Sequence, residues 1–259
     1  CVLDDPLTAF REVDRVLNAC LRHKRPVYIE IPRDRVTMTP IHPHSPLVEA
    51  PISDSDELRE ATGEALAMLW SSKSPVILAG IELNRFKLAD SVLRFAEKHK
   101  IPIASTLLSK SVIRERHPLY VGVYQAAMGR PQVTKFVEES DCVLMLGAML
   151  TDVDTGIFTH KLDQNRVIFA TSESVQIRYH HYQDILLSDF VSKLCDASLP
   201  SYARTIPKDS NPISEPWEAK PDEPITVRRL FQKVNAILGE KVTVIADPGD
   251  ALFGAADLA

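Results

Sequence analysis

Apolar residues recur along this chain at two spacings, and the changes from one to the other set out a run of elements. Ala9, Val13, Val16, Leu17, Cys20 and Leu21 return at helical spacing, and Asp5-Pro6 ahead of them offers an N-cap followed by proline at the first helical position. A helix is predicted over about 6–22. A basic end (Arg22, His23, Lys24, Arg25) suits its C-terminus, and Pro26 and Pro32 then enclose Val27-Tyr28-Ile29-Glu30-Ile31, which reads as a strand. Residues 33–53 carry Pro40, Pro43, Pro46 and Pro51 with little periodicity and read as an extended connection.

A second pattern starts at Asp54 and Glu57, a capping-box-like pair. It leads into a helix of about 15 residues whose apolar face is Leu58, Ala61, Ala65, Leu66 and Leu69. Pro75 to Gly80 is a buried-type strand, Leu88 to His99 an amphipathic helix, and Ile101 to Ala104 a short strand. The alternation continues with a helix near 131–140, a strand at Cys142 to Leu146 closed by Gly147, strands at Val167 to Ala170 and near Val175 to Ile177, and a helix at Leu187 to Leu194. Strands that are apolar on both faces and alternate with helices imply an α/β fold, a doubly wound parallel sheet covered on both sides. Residues 196–224 gather Pro200, Pro207, Pro212, Pro216, Pro221 and Pro224 among polar residues and read as a linker. Thr226 then caps a helix with the face Val227, Leu230, Phe231, Val234, Ile237 and Leu238, and Val242 to Ala246 reads as one more strand. Each outer segment is one helix and one strand, too little for a sheet or core of its own. Both ends of the chain, Cys1 and Ala259, therefore read as cut, with partial α/β domains flanking a whole central one.

Composition narrows the function classes. The 30 basic and 35 acidic residues leave a net charge of −5, scattered with no basic block, which argues against nucleic acid or an anionic membrane surface as partner. No apolar run approaches the roughly 18 to 20 residues of a membrane span, and no signal-peptide pattern opens the chain, so a cytoplasmic setting is expected. Cys1, Cys20, Cys142 and Cys195 lie far apart without CxxC spacing and read as reduced, mostly buried small apolar residues.

Candidate chemistry is sparse. After the strand ending at Gly80 the sequence runs Ile81-Glu82-Leu83-Asn84-Arg85, one glycine where a dinucleotide fingerprint needs three, so the central fold reads as Rossmann-like but degenerate. Asp152 and Asp154, just after a strand, are weighed as loop caps or metal ligands, and the calcium-loop pattern does not continue past them. His180-His181 would face opposite ways on a strand, which argues against metal ligation; His42 and His44 flank Pro43 in the connection and read as solvated; and Glu30, the sole charge in an apolar strand, reads as a hydrogen-bonded or edge-exposed structural residue. No GxSxG elbow is present. Asp247-Pro248-Gly249-Asp250-Ala251 follows a predicted strand, where backbone donors commonly meet phosphate groups; read alone, the stretch is better explained as an ordinary strand-to-helix turn.

Taken in order, several stretches resemble the thiamine-diphosphate-dependent enzymes. Arg25 to Asp34 resembles the stretch closing their pyrimidine-binding domain, and Val244 to Ala255 the first strand and loop of their diphosphate-binding domain. His117 to Tyr124 and Leu146 to His160 resemble the pyruvate and indolepyruvate decarboxylase branch. The resemblance implies residues 1–48 as the end of the pyrimidine-binding domain, 49–198 as the central domain, 199–224 as a linker and 225–259 as the start of the diphosphate-binding domain. It also implies thiamine diphosphate and Mg2+ as cofactors, a 2-keto acid as substrate and a homodimer or homotetramer. In that chemistry the cofactor's C2 carbanion attacks the keto carbon, carbon dioxide leaves, and the thiazolium accepts the electrons.

Little of the family's apparatus transfers to residues of this chain. Its activating glutamate belongs before Cys1 and its metal motif after Ala259, so no catalytic or metal residue is assigned here. Gly249, Asp250 and Ala251 are the cofactor-binding candidates, and Pro248 stands where relatives commonly carry a hydroxyl or amide residue. The parent protein is expected to be a lyase and the chain alone inactive. The alternatives are an acetolactate-synthase-like carboligase, some of which hold flavin in the central domain, and a non-catalytic scaffold or nucleotide-binding module.

Overall fold

The structure, a computed structural model, describes residues 1–44, 51–207, 215–239 and 241–258. Packing divides the chain into two compact units, Cys1–Ser53 and Asp54–Ala259. The expected boundary at 48/49, Pro46, Pro212 and Ala259 lie outside the described residues.

In the first unit, α1 spans Ala9–His23. It starts later than the proline signal suggests, because Asp5 caps a turn ahead of it: Leu7 N donates to Asp5 Oδ1 at 2.9 Å and Ala9 N to Asp5 O at 3.0 Å. The expected strand at 27–31 is not formed. A single parallel bridge joins Val2 to Glu30, and Tyr28 and Ile31 are exposed. Strand-forming side chains need a neighbouring ladder to bury them, and among the described residues of this unit none exists.

The second unit is built on one sheet. Its elements in order are α2 (Ser55–Ser71), β1 (Pro75–Ala79), α3 (Glu82–Arg85), α4 (Ala89–His99), β2 (Ile103–Ser105), β3 (Tyr120–Val123), α5 (Pro131–Glu138) and β4 (Cys142–Leu146). Then come β5 (Val167–Ala170), β6 (Ser174–Ile177), β7 (His180–Gln183), α6 (Leu187–Asp196), α7 (Val227–Ile237) and α8 (Asp250–Ala255). The strand order is β3-β2-β1-β4-β5-β6-β7. β1 to β5 are parallel, which is the predicted doubly wound α/β fold, while β6 and β7 add antiparallel. That departs from the all-parallel expectation. Only Thr171 to Glu173 join β5 to β6, and a parallel crossover needs about a dozen residues.

Alternation along the strands sorts the core into two layers. Ile77, Ala79, Leu144 and Leu146 pack with α2, α4 and α6 on one face. Val76, Leu78, Val143 and Met145 pack with Val133, Phe136 and Val137 of α5 on the other. Asp54 caps α2, accepting from Asp56 N at 2.9 Å and Glu57 N at 3.0 Å. The first part of the predicted linker belongs to this core. Tyr202 is buried and donates to Leu69 O at 2.6 Å, and the Arg204 guanidinium lies 3.5 Å over the Phe136 ring.

The predicted strand at 242–246 is also absent: Val242, Val244 and Ile245 are exposed, Ile245 to 92%. α7 forms, capped by Thr226, but none of its residues is buried.

Candidate functional site

In an open sheet of this order a ligand sits at the carboxyl ends of the strands where the order reverses, between β1 and β4. Here main chain fills that crevice. Gly80 N donates to Leu146 O at 2.9 Å and Glu82 N to Gly147 O at 3.0 Å. A Cβ on Gly80 would stand 2.1 Å from Gly147 C, and Gly147 itself holds φ +63, a left-handed value. Glu82 is 2% exposed, and its carboxylate accepts from Ser172 N at 2.8 Å and Ser172 Oγ at 2.9 Å. The acid thus ties the start of α3 to the turn between β5 and β6. Sequence reading passed over Glu82 because its partner lies 90 residues away.

Of the acids and histidines weighed from sequence, Asp154 and His180 prove to be structural ties. Asp154, 1% exposed, accepts from Leu107 N at 3.1 Å, Thr151 N at 3.2 Å and Thr151 Oγ1 at 2.9 Å, holding the loop after β4 against the loop after β2. Asp152 accepts only from the next N–H, Val153, among the bonds seen at its carboxylate. His180 and Tyr182 of β7 both meet Glu64 of α2, at 2.9 and 2.7 Å. Burial alone would raise the Glu64 carboxyl, and the bonds from His180 and Tyr182 outweigh it and hold it below the ordinary range. His181 is exposed on the same edge strand. In the first unit His44 is paired with buried Asp14, His42 is exposed, and Glu30 accepts from Tyr28 Oη at 3.4 Å. Among the described residues no group of three His, Cys, Asp or Glu side chains is placed to hold a metal ion.

The four cysteines are free, but only Cys142 is buried, and the other three are partly exposed rather than buried as expected. Burial, with Asp141 adding to it, pushes the Cys142 thiol up to about 12.

The candidates Gly249, Asp250 and Ala251 lie at the start of α8 and are exposed. Gly249 has φ +135 and ψ −157, a conformation open to glycine, and a Cβ there would meet nothing within 4 Å. α8 docks against the carboxyl edge of the sheet through Leu252 and Ala256, which cluster with Leu107, Val123 and Val153. Arg130 Nε stands 3.4 Å from Asp257, and Lys110 Nζ donates to Leu258 O at 2.6 Å. The Asp250 carboxylate beside this glycine would repel a phosphate group unless a donor or cation stood between them. No reaction step follows from these residues.

The fold defines a class: a doubly wound α/β domain with two antiparallel strands added at one edge of its parallel sheet. Residues 62–197 match the family model described as thiamine pyrophosphate enzyme, central domain, and the chain belongs to that family. It is similar to indole-3-pyruvate decarboxylase of Azospirillum brasilense, 32% identical over 258 residues, which cover 99% of this chain and 47% of that protein. Pyruvate decarboxylase isozyme 2 of Saccharomyces cerevisiae is 28% identical over 98% of this chain and 46% of its own length. Pyruvate decarboxylase 2 of Nicotiana tabacum is 26% identical over 97% and 42%. The chain therefore spans a little under half the length of these relatives.

Proposed function

We propose that this chain is part of a thiamine-diphosphate-dependent, non-oxidative 2-keto-acid decarboxylase, a lyase. The observation that carries the reading is an alignment with decarboxylases along 97–99% of the chain, well beyond the central domain matched by the family model. Bound thiamine diphosphate would supply the carbanion that adds to the keto carbon. This chain's own part in that reading is to present the loop at Gly249, Asp250 and Ala251 at the α8 edge. Mg2+, a cytoplasmic setting and assembly as a homo-oligomer belong to the same proposal. Four free cysteines fit such a setting, and no helix among the described residues is long and apolar enough to cross a membrane.

The test compares the full-length parent with this chain. With thiamine diphosphate, Mg2+ and pyruvate or indolepyruvate, the parent should release carbon dioxide and this chain none; release by the chain alone would contradict the reading. In the parent, Gly249→Ala should weaken thiamine diphosphate binding about tenfold in a calorimetric titration, because an L-residue strains at φ +135 and shifts the N–H groups at 250 and 251. Unchanged affinity would remove Gly249, Asp250 and Ala251 from the cofactor site.

A further inference from the structure

The chain just past α8 is held by two cations, Lys110 and Arg130, from the carboxyl edge of the sheet. Lys110 Nζ donates to Leu258 O at 2.6 Å and pairs with Glu115, and neither side chain of that pair is more than 19% exposed. Glu115 also accepts from Ser111 Oγ at 2.9 Å, so its two oxygens close the segment 110–115 on itself. That segment is fixed to the sheet in turn. Ser109 Oγ donates to Ala79 O at the end of β1 at 2.6 Å, and Leu107 N to Asp154 in the loop after β4 at 3.1 Å. Arg130 meets Asp257 and crosses β3 at Gly122, where a Cβ would stand 2.8 Å from a guanidinium nitrogen. On the other side of the contact, Leu258 N donates back to the carbonyl of Ala255, the last residue of α8, and Ala256 and Leu258 are buried.

An ammonium offers three donors, and here one carboxylate and one main-chain carbonyl share them in a largely dry place, which fixes the position of that carbonyl. α8 has only six residues, about 9 Å of helix, so an anchor at its far end also sets where its first residues stand. From this arrangement we infer that Lys110 is a positioning residue for the loop at Gly249, Asp250 and Ala251: from the loop after β2 it holds the end of α8, and through α8 the direction of the N–H groups at 250 and 251. The inference rests on the reading of that loop as a contact to the diphosphate of the cofactor.

Lys110→Met alone would leave the Glu115 carboxylate without its cation, so the test combines it with Glu115→Gln. In this chain the double substitution should speed hydrogen exchange at the amides of Phe253, Ala256 and Leu258 about tenfold while β1 and β4 stay protected, since a hydrogen bond from a charged group contributes roughly that factor. In the full-length parent the same pair should weaken thiamine diphosphate binding about tenfold in a calorimetric titration, whereas Lys110→Arg, which keeps a charged donor for Leu258 O, should bind it nearly as the parent does. Unchanged exchange in α8 would overturn the anchor whatever the parent binds. Faster exchange with unchanged affinity, in a parent whose affinity does fall on Gly249→Ala, would overturn the positioning role and leave the cofactor reading standing, and so would Lys110→Arg binding as weakly as the double variant. A parent that binds no thiamine diphosphate would sink that reading, and this inference with it.

Discussion

Arg204 shows how much one side chain outside the regular elements can hold. Its guanidinium donates to Ser74 O, Ser140 Oγ and Phe136 O and covers the Phe136 ring, joining the chain after α6 to α5 and to the start of β1. Arg204→Ala should cost about 2 kcal/mol in urea unfolding, and Arg204→Lys part of that, since lysine keeps the charge but not the fork. Asp141 acts similarly on the turn before β1, accepting from the Ser72 hydroxyl, Lys73 N and Ser74 N. Burial opposes its charge, but these bonds outweigh it and hold the carboxyl below its ordinary range. A lowered folded pKa means the contribution is complete above the unfolded aspartate value of about 3.9 and is lost as pH falls through the folded one. Asp141→Asn should therefore be less stable than the parent sequence by about 2 kcal/mol at pH 6, with the gap narrowing progressively as pH falls below about 3.9; a gap constant with pH would refute this role. Gly80→Ala has no such latitude. Its Cβ would overlap main-chain atoms of Gly147 and Ala148 at 2.1 Å, and soluble folded protein should be lost.

At the scale of elements, what could be read from sequence depended on whether an element's partners are in the chain. β1, β4 and β5 and helices α2, α4, α5 and α6 emerge from periodicity because their apolar faces meet one another in the same unit. β3 and β7 were not predicted. β3 contains Gly122 at φ +137 beside a register shift, and β7 reads His-His-Tyr-Gln, polar because it is an edge. The opposite error fell on 27–31 and 242–246, where strand-like sequence has no ladder to join. Fully burying a Val or Ile contributes about 1.5–3 kcal/mol, and at these positions that gain is not realised. Hydrogen exchange should therefore find amides 242–246 unprotected in this chain, with β1 and β4 protected; the same amides should become protected in the full-length parent. Strong protection in the chain alone would show that these residues already have partners.

For the whole molecule the consequence is exposed apolar surface in both units. Leu7, Leu17 and Leu21 with Val36 in the first unit, and Val227, Leu230 and Ile237 on α7 in the second, are all more than 40% exposed. This chain should enhance the fluorescence of a hydrophobic dye at neutral pH, and the full-length parent should do so much less per mole; equal signals would mean that the remainder of the parent leaves these faces open. The candidate site divides along the same line. The loop at 249–251 stands out in the sequence because glycine after an apolar run is a local signal, whereas Glu82 with Ser172 joins residues 90 apart and has no local signature. Sequence by itself determined the α/β alternation, the missing glycine fingerprint and the resemblance to thiamine-diphosphate enzymes, because periodicity and motif order are properties of neighbouring residues. Only the tertiary structure decided that β6 and β7 run antiparallel, that Glu82 meets Ser172 and that the outer strand sequences form no ladder, because each of these depends on which distant groups reach one another when the sheet forms.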